Sequence, residues 1–590
     1  MTPRVLQGLM RPDPALPQDM AVLARLSDGA AWDEAGDGLH LPAGARAGFD
    51  TWANLFNAGL WAAHGPLAGL ALRLAGTGTV TLHVRHVTPG GPDRTLIRTD
   101  VALTGAGTAV PLDAAGGLLL WSLTARDAAV LHAAAFIADP LLRRDPVRLA
   151  LVVTTFRREA AVRATAARIA AVLDADAAGA GALAGAHLFV VDNGQSADLP
   201  AHPRLTLIRN RNMGGAGGFA RGLAATRDAG HFTHVLFMDD DAACPMTNLT
   251  RTAAFLHHAQ DPATALAGAM VSTTRPWHLW ENGAVFNRLP RSRFSGTDLR
   301  DAGAVTAMEL ATPAPPPAGA YGAWWYFAFP LAAVTHDPYP FFVRGDDVWF
   351  GLSNRFRIAT LNGVMSFQDD FAAKASPVSL YLDMRFLMVV NMVRPDRALG
   401  LAGCLALAWR QVLHSISRMH YDTAAAQLLA LADLLGGPAH FVTHITLADR
   451  RARIAALTGA ERWGPHPATL PPAWDAAPVG PGRAWLMRAT LNGHLLPGFA
   501  RAGRAVTVPL ADRGGLAATR GAARAVFVDG DRAYAVAHDK VRAGRLVLRG
   551  LGLSLRWVLA WPRLRRAFRA SRTDLTRPAF WAAQFETFPD

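Results

Sequence analysis

Three consecutive carboxylates, Asp239-Asp240-Asp241, follow the short apolar run His234-Val235-Leu236-Phe237-Met238. A run of that length reads as a buried parallel strand, so the carboxylates emerge at its C-terminal tip, the edge where open α/β sheets bind ligands. Carboxylates gathered there repel one another unless a cation shares them, and all-oxygen ligands suit a hard ion such as Mg²⁺ or Mn²⁺. Asp239 and Asp241 have the Asp-x-Asp spacing that can hold a metal against a nucleotide diphosphate; a solvated acidic turn is the alternative. A second pair, Asp346-Asp347, follows the strand-like run Phe341-Phe342-Val343 and then Arg344-Gly345. A hydroxyl nucleophile needs a base, and adjacent carboxylates supply one to act and one to orient or bind. Here too a solvated turn is the alternative.

Other residues fit around a donor nucleotide. Thr155-Phe156-Arg157-Arg158 closes one strand and opens a helix, whose N-terminus suits an anionic or polar ligand. Asp192 ends a second strand, where its carboxylate could accept hydrogen bonds from a base edge; a helix cap is the plainer reading of either. Asn212 and the glycines that follow, Gly214 and Gly215 among them, form a loop over which a ligand can pass close to the backbone. It lacks the Gly-Lys-Ser/Thr of a P-loop, which argues against ATP hydrolysis. Trp324-Trp325 reads as a platform for sugar C–H faces, or as core.

The elements that must position these groups fall into three regions. Residues 1–140 are mostly short alternating strands with turns, such as the hairpin pattern Leu70–Leu74, Gly76-Thr77-Gly78, Val80–Val84, and predict a β-sandwich or jelly roll. Residues 145–395 alternate strands with helices: Leu149–Val153, helix Glu159–Leu173, then strands at His187–Val191, Leu205–Ile208 and His234–Met238. That pattern predicts βαβ units and a parallel sheet. Residues 396–590 read as mainly helical, with a Pro/Gly-rich linker over Gly464–Gly482. The last stretch interleaves Leu553, Leu555, Trp557 and Leu559 with Arg556, Arg563, Arg565 and Arg566, which suits an anionic bilayer surface or a helix packed on the protein.

With 51% hydrophobic and 18% charged residues the 590-residue chain has ample core for several domains. Two cysteines make no disulfide framework. The absence of an apolar leader or an 18-residue apolar run predicts a cytoplasmic protein, peripheral at most on the cytoplasmic face of the inner membrane. The net charge of +13 is almost all arginine, the better fork for phosphate. No zinc-finger spacing, RNA-binding aromatic signature or heptad accompanies it, so nucleic acid is the weaker partner.

Taken together these motifs resemble the galactan-polymerising galactofuranosyltransferases of inverting glycosyltransferase family 2. The resemblance runs in order through Phe49-Asp50-Thr51-Trp52…Phe56-Asn57, Thr155-Phe156-Arg157-Arg158, Asn212–Phe219, Met238–Asp241, Trp324-Trp325, Asp346-Asp347…Gly351-Leu352 and Phe580-Trp581…Phe585. It implies a GT-A, Rossmann-like mixed-sheet catalytic domain between an N-terminal β-sandwich and a helical C-terminal region, usually oligomeric. It further implies a UDP-galactofuranose donor, a lipid-linked glycan acceptor and Mn²⁺ or Mg²⁺ as cofactor. Asp239 and Asp241 would engage the metal and nucleotide ribose, Asp347 would be the base, and the tryptophans would meet the acceptor. Two departures stand out. Phe367-Gln368-Asp369-Asp370-Phe371 replaces a Trp-His-Glu segment, leaving Gln368 as a weaker metal ligand than imidazole, and Gly345 replaces a tryptophan. The rival expectations are a family 2 transferase using another nucleotide sugar, such as dTDP-rhamnose, and an inactive glycan-binding scaffold.

Overall fold

The structure is a computed structural model that describes residues 3–34, 36–139, 146–179, 181–241, 243–369, 375–394, 396–474, 480–499 and 504–586. The expected boundaries at 140, 145 and 395, and residues Asp370 and Phe371, lie outside the described residues.

The N-terminal region packs two antiparallel sheets face to face. One contains Ala71–Thr77 and Ala129–Ala138, the other Thr79–Val87, Arg94–Ala102 and Leu118–Ala125. Alternate residues of Thr79–Val87 are buried, the period-2 pattern of a strand with one face on a core. The inner faces close over Leu72, Leu82, Leu131 and Trp121, whose indole stacks on Phe49 at 4.1 Å. The hairpin expected about Gly76-Thr77-Gly78 is corrected: the two runs are strands, but they belong to different sheets. Gly78, at φ +86°, lets the chain cross from one layer to the other beneath the Ala128 carbonyl.

An eight-stranded mixed sheet follows. Its strands are β1 (Leu149–Thr155), β2 (His187–Asp192), β3 (Leu205–Arg209), β4 (His234–Asp239), β5 (Thr264–Ser272), β6 (Leu279–Glu281), β7 (Tyr326–Pro330) and β8 (Arg357–Gln368). The order is β3-β2-β1-β4-β7-β5-β6, with β8 beside β5. β1 to β4 are parallel, and Thr155 lies opposite Asp192 while Thr154 lies opposite Asp239. β7 runs antiparallel to β4 with Tyr326 opposite Met238, so the residues just before β7 arrive at the same edge. Helices α1 (Glu159–Gly179), α2 (Gly214–Asp228) and α3 (Thr247–His258) connect these strands.

The segment resembling the family's N-terminal signature binds the sandwich to this sheet. Trp52 Nε1 donates to Glu309 at 2.9 Å, Asn57 Nδ2 donates to the same carboxylate, and Arg251 of α3 donates to the Ala53 and Gly8 carbonyls.

Beyond the sheet come α4 (Asp346–Ser353), α5 (Pro377–Val393), α6 (Leu401–Ser417), α7 (Tyr421–Leu434), the 35-residue α8 (Lys540–Asp574) and α9 (Pro578–Glu586). One apolar core runs from Tyr339 and Trp349 through Phe386 to Trp557. To the helices of the mainly helical C-terminal region the structure adds a small sheet. Gly464–Pro465, Arg504–Pro509, Ala522–Asp529 and Arg532–Ala537 form a four-stranded sheet. Arg532–Ala537 alternates buried and less buried residues over only its last four positions and Ala522–Asp529 does not alternate, so no period-2 signal stands out beside the helices. α9 returns to the main sheet's side, where Trp581 packs on Met213, Ala216 and Ala220 around α2.

Candidate active site

Strand tips, helix starts and one strained loop meet around a cavity of about 640 Å³, within the range of small-molecule sites. Of the residues singled out from sequence, Thr155, Phe156, Arg158, Asn212, Gly214, Gly215, Asp239, Asp240, Asp241, Trp324, Trp325, Asp346 and Asp347 line it. Asp192 and Gln368 stand outside that lining.

At the β4 tip, Asp240 turns away from solvent. Its Oδ2 accepts from Thr155 Oγ1 at 2.7 Å and its Oδ1 from Arg158 Nη1 at 3.2 Å. Arg158 also donates to Asp241, so one guanidinium neutralises two carboxylates. Burial still outweighs these contacts and raises the Asp240 pKa above its ordinary value. Asp239 Oδ2 accepts from the Gln368 amide at 3.3 Å, so the residue in place of the family histidine touches the aspartate it would assist.

Asp192 is corrected as a base-reading residue. Its two carboxylate oxygens accept from the backbone N–H groups of Gly194, Ser196 and Ala197 at 2.6–2.8 Å, and the side chain is 1% exposed. A carboxylate so satisfied organises the loop after β2. The glycine run is likewise no loop: it is the first turn of α2. Gly214 has φ +70°, and a Cβ there would lie 2.1 Å from the Phe342 carbonyl oxygen. Ala216 N–H donates to that carbonyl at 3.0 Å, locking the α2 start against the segment that carries the second acidic pair.

That segment is not the expected strand. Phe342, Arg344 and Gly345 all have left-handed φ, at +77°, +71° and +82°, and non-glycine residues there store strain, a feature that concentrates at functional sites. The apolar run is buried because it packs against Phe386 of α5 and against Phe441 in the C-terminal core, not because it pairs in a sheet. Gly345 is required: a Cβ would sit 2.2 Å from the Phe386 ring, which occupies the space in front of the pair. Asp346 and Asp347 then open α4, where the helix dipole favours negative charge. Asp347 Oδ1 accepts from the Val348 N–H at 2.7 Å. Burial pushes the Asp347 carboxyl up to about 6, with Arg344 opposing. Burial, then repulsion from Asp347, pushes Asp346 well above the ordinary carboxylate range.

Sequence reasoning missed three residues here. Glu281 at the end of β6 lines the same cavity and accepts from Ser292 Oγ at 2.8 Å; burial carries its pKa to about 8. Tyr321 is buried near both Glu281 and Asp347. Asp383 projects from the largely apolar α5, its pKa raised by burial and opposed by Arg344. The one available signal was the Asp383 carboxylate, which with Arg385 interrupts the otherwise largely apolar stretch Leu380–Leu387, since an ionisable group costs free energy there unless it is used or paired.

The tryptophans form wall, not platform. Trp324 and Trp325 are 5% and 8% exposed. Trp325 Nε1 donates to the Gly268 carbonyl at 3.0 Å. Trp324 meets Phe219, Phe237 and Phe350 edge-on, and its Nε1 has no hydrogen-bond partner among the described residues.

The donor set suits a hard divalent ion of the weakly held kind. Asp239 and Asp241 offer only oxygen, which is what Mg²⁺ or Mn²⁺ takes, while the Gln368 amide turns its N–H toward Asp239. Among the described residues no three His, Cys, Asp or Glu side chains converge to hold a metal. An ion here would therefore need donor phosphate oxygens to complete its shell, as Mg²⁺ commonly does.

No family model matches the chain. Among solved structures, a family two carbohydrate esterase from Cellvibrio japonicus aligns over 32% of this chain and 52% of its own at 13% identity, but with a TM-score of 0.14 that carries no argument. Two curated proteins are similar. The galactofuranosyltransferase GlfT2 of Mycolicibacterium smegmatis is 26% identical over 431 residues, covering 67% of this chain and 64% of that protein. GlfT2 of Mycobacterium tuberculosis is 24% identical over 442 residues, covering 68% of this chain and 67% of that protein. The chain thus spans about two thirds of the length of these relatives and is distantly galactofuranosyltransferase-like.

Proposed function

We propose that the chain is an inverting glycosyltransferase of GT-A type that transfers galactofuranose from UDP-galactofuranose to a glycan acceptor. The observation that carries this reading is the meeting, in one cavity, of a cation-neutralised acidic strand tip and a desolvated acidic pair at a helix start. The two GlfT2 relatives supply the sugar.

The donor diphosphate lies across the β1 and β4 tips, where Arg158 offers a fork for phosphate oxygens and the α2 N-terminus adds its N–H groups. Asn212 Oδ1 accepts from the Gly214 N–H at 3.0 Å and holds that turn in shape. Asp239 and Asp241, with Gln368 beside them, would hold Mn²⁺ or Mg²⁺, which when bound offsets charge on the leaving diphosphate. Asp347 takes the proton from an acceptor hydroxyl as its oxygen forms a bond to the anomeric carbon. The bond from that carbon to the UDP oxygen breaks, and its electron pair leaves with UDP. With a pKa raised to about 6, Asp347 is ionised at neutral pH yet basic enough to accept a proton. Asp346, buried deeper, carries the proton of the pair and steadies the segment. Trp324 and Trp325 shape the acceptor side with Glu281.

The deciding experiment follows UDP release from UDP-galactofuranose with a galactofuranosyl disaccharide, for wild type and Asp347→Ala, with Mn²⁺ and with EDTA. Metal-dependent turnover lost in Asp347→Ala supports the whole reading. Turnover surviving in Asp347→Ala removes the base. Turnover only with dTDP-rhamnose or another nucleotide sugar keeps the class and changes the donor. Gln368 in place of histidine favours a second reading, an inactive glycan-binding scaffold, which sugar binding without turnover of any donor would support.

A further inference from the structure

The outer face of the sandwich's second sheet is divided along one strand. In Leu118–Ala125 the side chains of Leu118, Leu120, Ser122 and Thr124 share the face turned away from the sandwich core. Leu118 and Leu120 are buried in an apolar cluster with Val271 of β5 and Met365 of β8. At Ser122 the face turns polar. A groove of about 590 Å³ opens there, lined by Arg46, Thr81, His83, Arg98, Ser122 and Thr124. None of these residues lines the catalytic cavity.

Strand pairing sets the groove in order. Thr124 lies opposite Arg46 on one side and Thr81 on the other, while Ser122 lies opposite His83, which lies opposite Arg98. Neighbouring strands are about 4.8 Å apart, so small polar side chains form the floor and the two arginines flank it. Elsewhere on this sheet arginines are paired: Arg25 and Arg85 hold Asp50 at 2.9 and 3.1 Å, and Arg126 meets Asp100 at 3.3 Å. Arg46 and Arg98 have no carboxylate partner among the described residues. Both bear on His83, whose pKa is lowered by burial and then by Arg85, Arg98 and Arg46. Ser122 is 7% exposed, yet its hydroxyl has no hydrogen-bond partner among the described residues. A polar side chain so buried is ordinarily satisfied, and the groove is where this one opens.

The lining selects an occupant. Guanidinium forks take phosphate or carboxylate, and hydroxyls beside an imidazole exchange hydrogen bonds with a polyol. The lining holds no Phe, Tyr or Trp on which a nucleic-acid base would stack, and no large apolar side chain that a bilayer contact would need. A peptide gains no strand pairing here, because Thr79–Val87 and Leu118–Ala125 are already paired on both sides. We infer that this groove, between Arg46 and Arg98 over Ser122 and Thr124, is a second binding site, for a saccharide that carries an oxyanion, phosphate or carboxylate. The site does not depend on the transferase reading; under that reading it would hold a charged glycan away from the reacting atoms.

The test is isothermal titration of the full chain with glucose 6-phosphate, glucuronic acid, glucose, inorganic phosphate and a hexaglutamate peptide. Wild type runs beside Arg46→Gln/Arg98→Gln, Ser122→Ala and Arg158→Ala, the last removing the cation of the catalytic cavity, the other place a phosphate would go. Wild type should bind a charged sugar about tenfold or more tightly than glucose or phosphate, and the tighter of the two charged sugars identifies the oxyanion. The arginine variant should weaken that binding about 100-fold, at about tenfold per guanidinium, and Ser122→Ala about fivefold, the usual effects of charge-assisted and neutral hydrogen bonds. Arg158→Ala should leave it unchanged, and UDP release should stay within about twofold in the groove variants; circular dichroism checks their folding. Charged-sugar binding that is absent in wild type, or lost in Arg158→Ala and kept in the arginine variant, overturns the proposal. Inorganic phosphate bound as tightly as glucose 6-phosphate reduces the groove to an ion site, and hexaglutamate bound more tightly than either sugar assigns it to an acidic protein segment; each overturns it too. Loss of turnover on every donor would sink the transferase reading and leave this result standing.

Discussion

Two acidic clusters face each other across one cavity, and their surroundings drive them toward opposite jobs. At the β4 tip the carboxylates are given partners: Arg158 spans Asp240 and Asp241, Thr155 donates to Asp240, and the Gln368 amide meets Asp239. At the start of α4, Asp346 and Asp347 are desolvated beside one another, near Asp383, with Arg344 as the opposing charge. The first cluster is built to gather positive charge, with burial working against ionisation at Asp240. The second is built so that a proton can come and go near neutral pH. The backbone repeats the contrast, since one cluster ends a regular buried strand and the other sits on consecutive left-handed residues. Residue type alone does not separate a binding carboxylate from a proton-transfer carboxylate; desolvation and the nearest cation do.

The largest break in this contrast should come from removing the base. Asp347→Asn is expected to lower kcat about 10³-fold, roughly 4 kcal/mol of barrier, with donor KM nearly unchanged. Steady-state UDP release checks it, and a change confined to KM would move Asp347 to a binding role. Next is the cation side. Arg158→Ala leaves two carboxylates without their shared guanidinium, and kcat/KM for the donor should fall about 30–100-fold, from the loss of a charge-assisted contact of about 2–3 kcal/mol. Isothermal titration with UDP should show the same loss; unchanged UDP affinity would separate Arg158 from the diphosphate. Smaller still is Gln368→His. An imidazole in place of an amide should lower the Mn²⁺ concentration for half-maximal turnover by about tenfold, the low end of the effect of altering residues around a metal. A titration that does not move would remove Gln368 from the metal's neighbourhood.

How much of this could be read from the chain varies with the length of the signal. The parallel strands β1, β2 and β4 are legible because both faces are buried, so each is a continuous apolar run, and the carboxylates ending β2 and β4 stand out. Phe341-Phe342-Val343 shows the same composition and misleads, because three apolar residues can be buried by packing on helices while the backbone turns left-handed at Phe342. The Gly76–Gly78 turn misleads otherwise: alternation reveals which face of each strand is buried, but not which sheet each joins. The glycines of α2 follow from contacts invisible in sequence, such as Gly222, where a Cβ would meet Val152 of β1 at 2.2 Å. Glu281 escaped because a single carboxylate in a three-residue strand has no spacing to mark it; only the fold brings it to the cavity of Asp347.

The smallest effect on rate, and the sharpest test of the comparison, is Asp346→Asn. If Asp346 already carries the proton of the pair at neutral pH, an amide reproduces its form, and kcat at pH 7.5 should stay within about tenfold of wild type. What should change is the dependence of stability on pH. In wild type the folded pKa of Asp347, near 6, lies above its ordinary 3.8. Between those values the folded protein holds more protons than the unfolded chain, so the pair's contribution to stability falls as pH rises while activity climbs through the same window. Burial, not the neutral Asp346, raises Asp347, so the acid limb should stay in place in the variant. The decline in melting temperature between pH 4 and pH 6 should instead be shallower than in wild type, because the proton that Asp346 takes up on folding is no longer there. The matching substitution at the other cluster, Asp241→Asn, should leave the acid limb in place while weakening donor binding. An acid limb that moves with Asp241 and not with Asp346 would reverse the two assignments, making the strand tip the site of proton transfer and the α4 pair the site of binding.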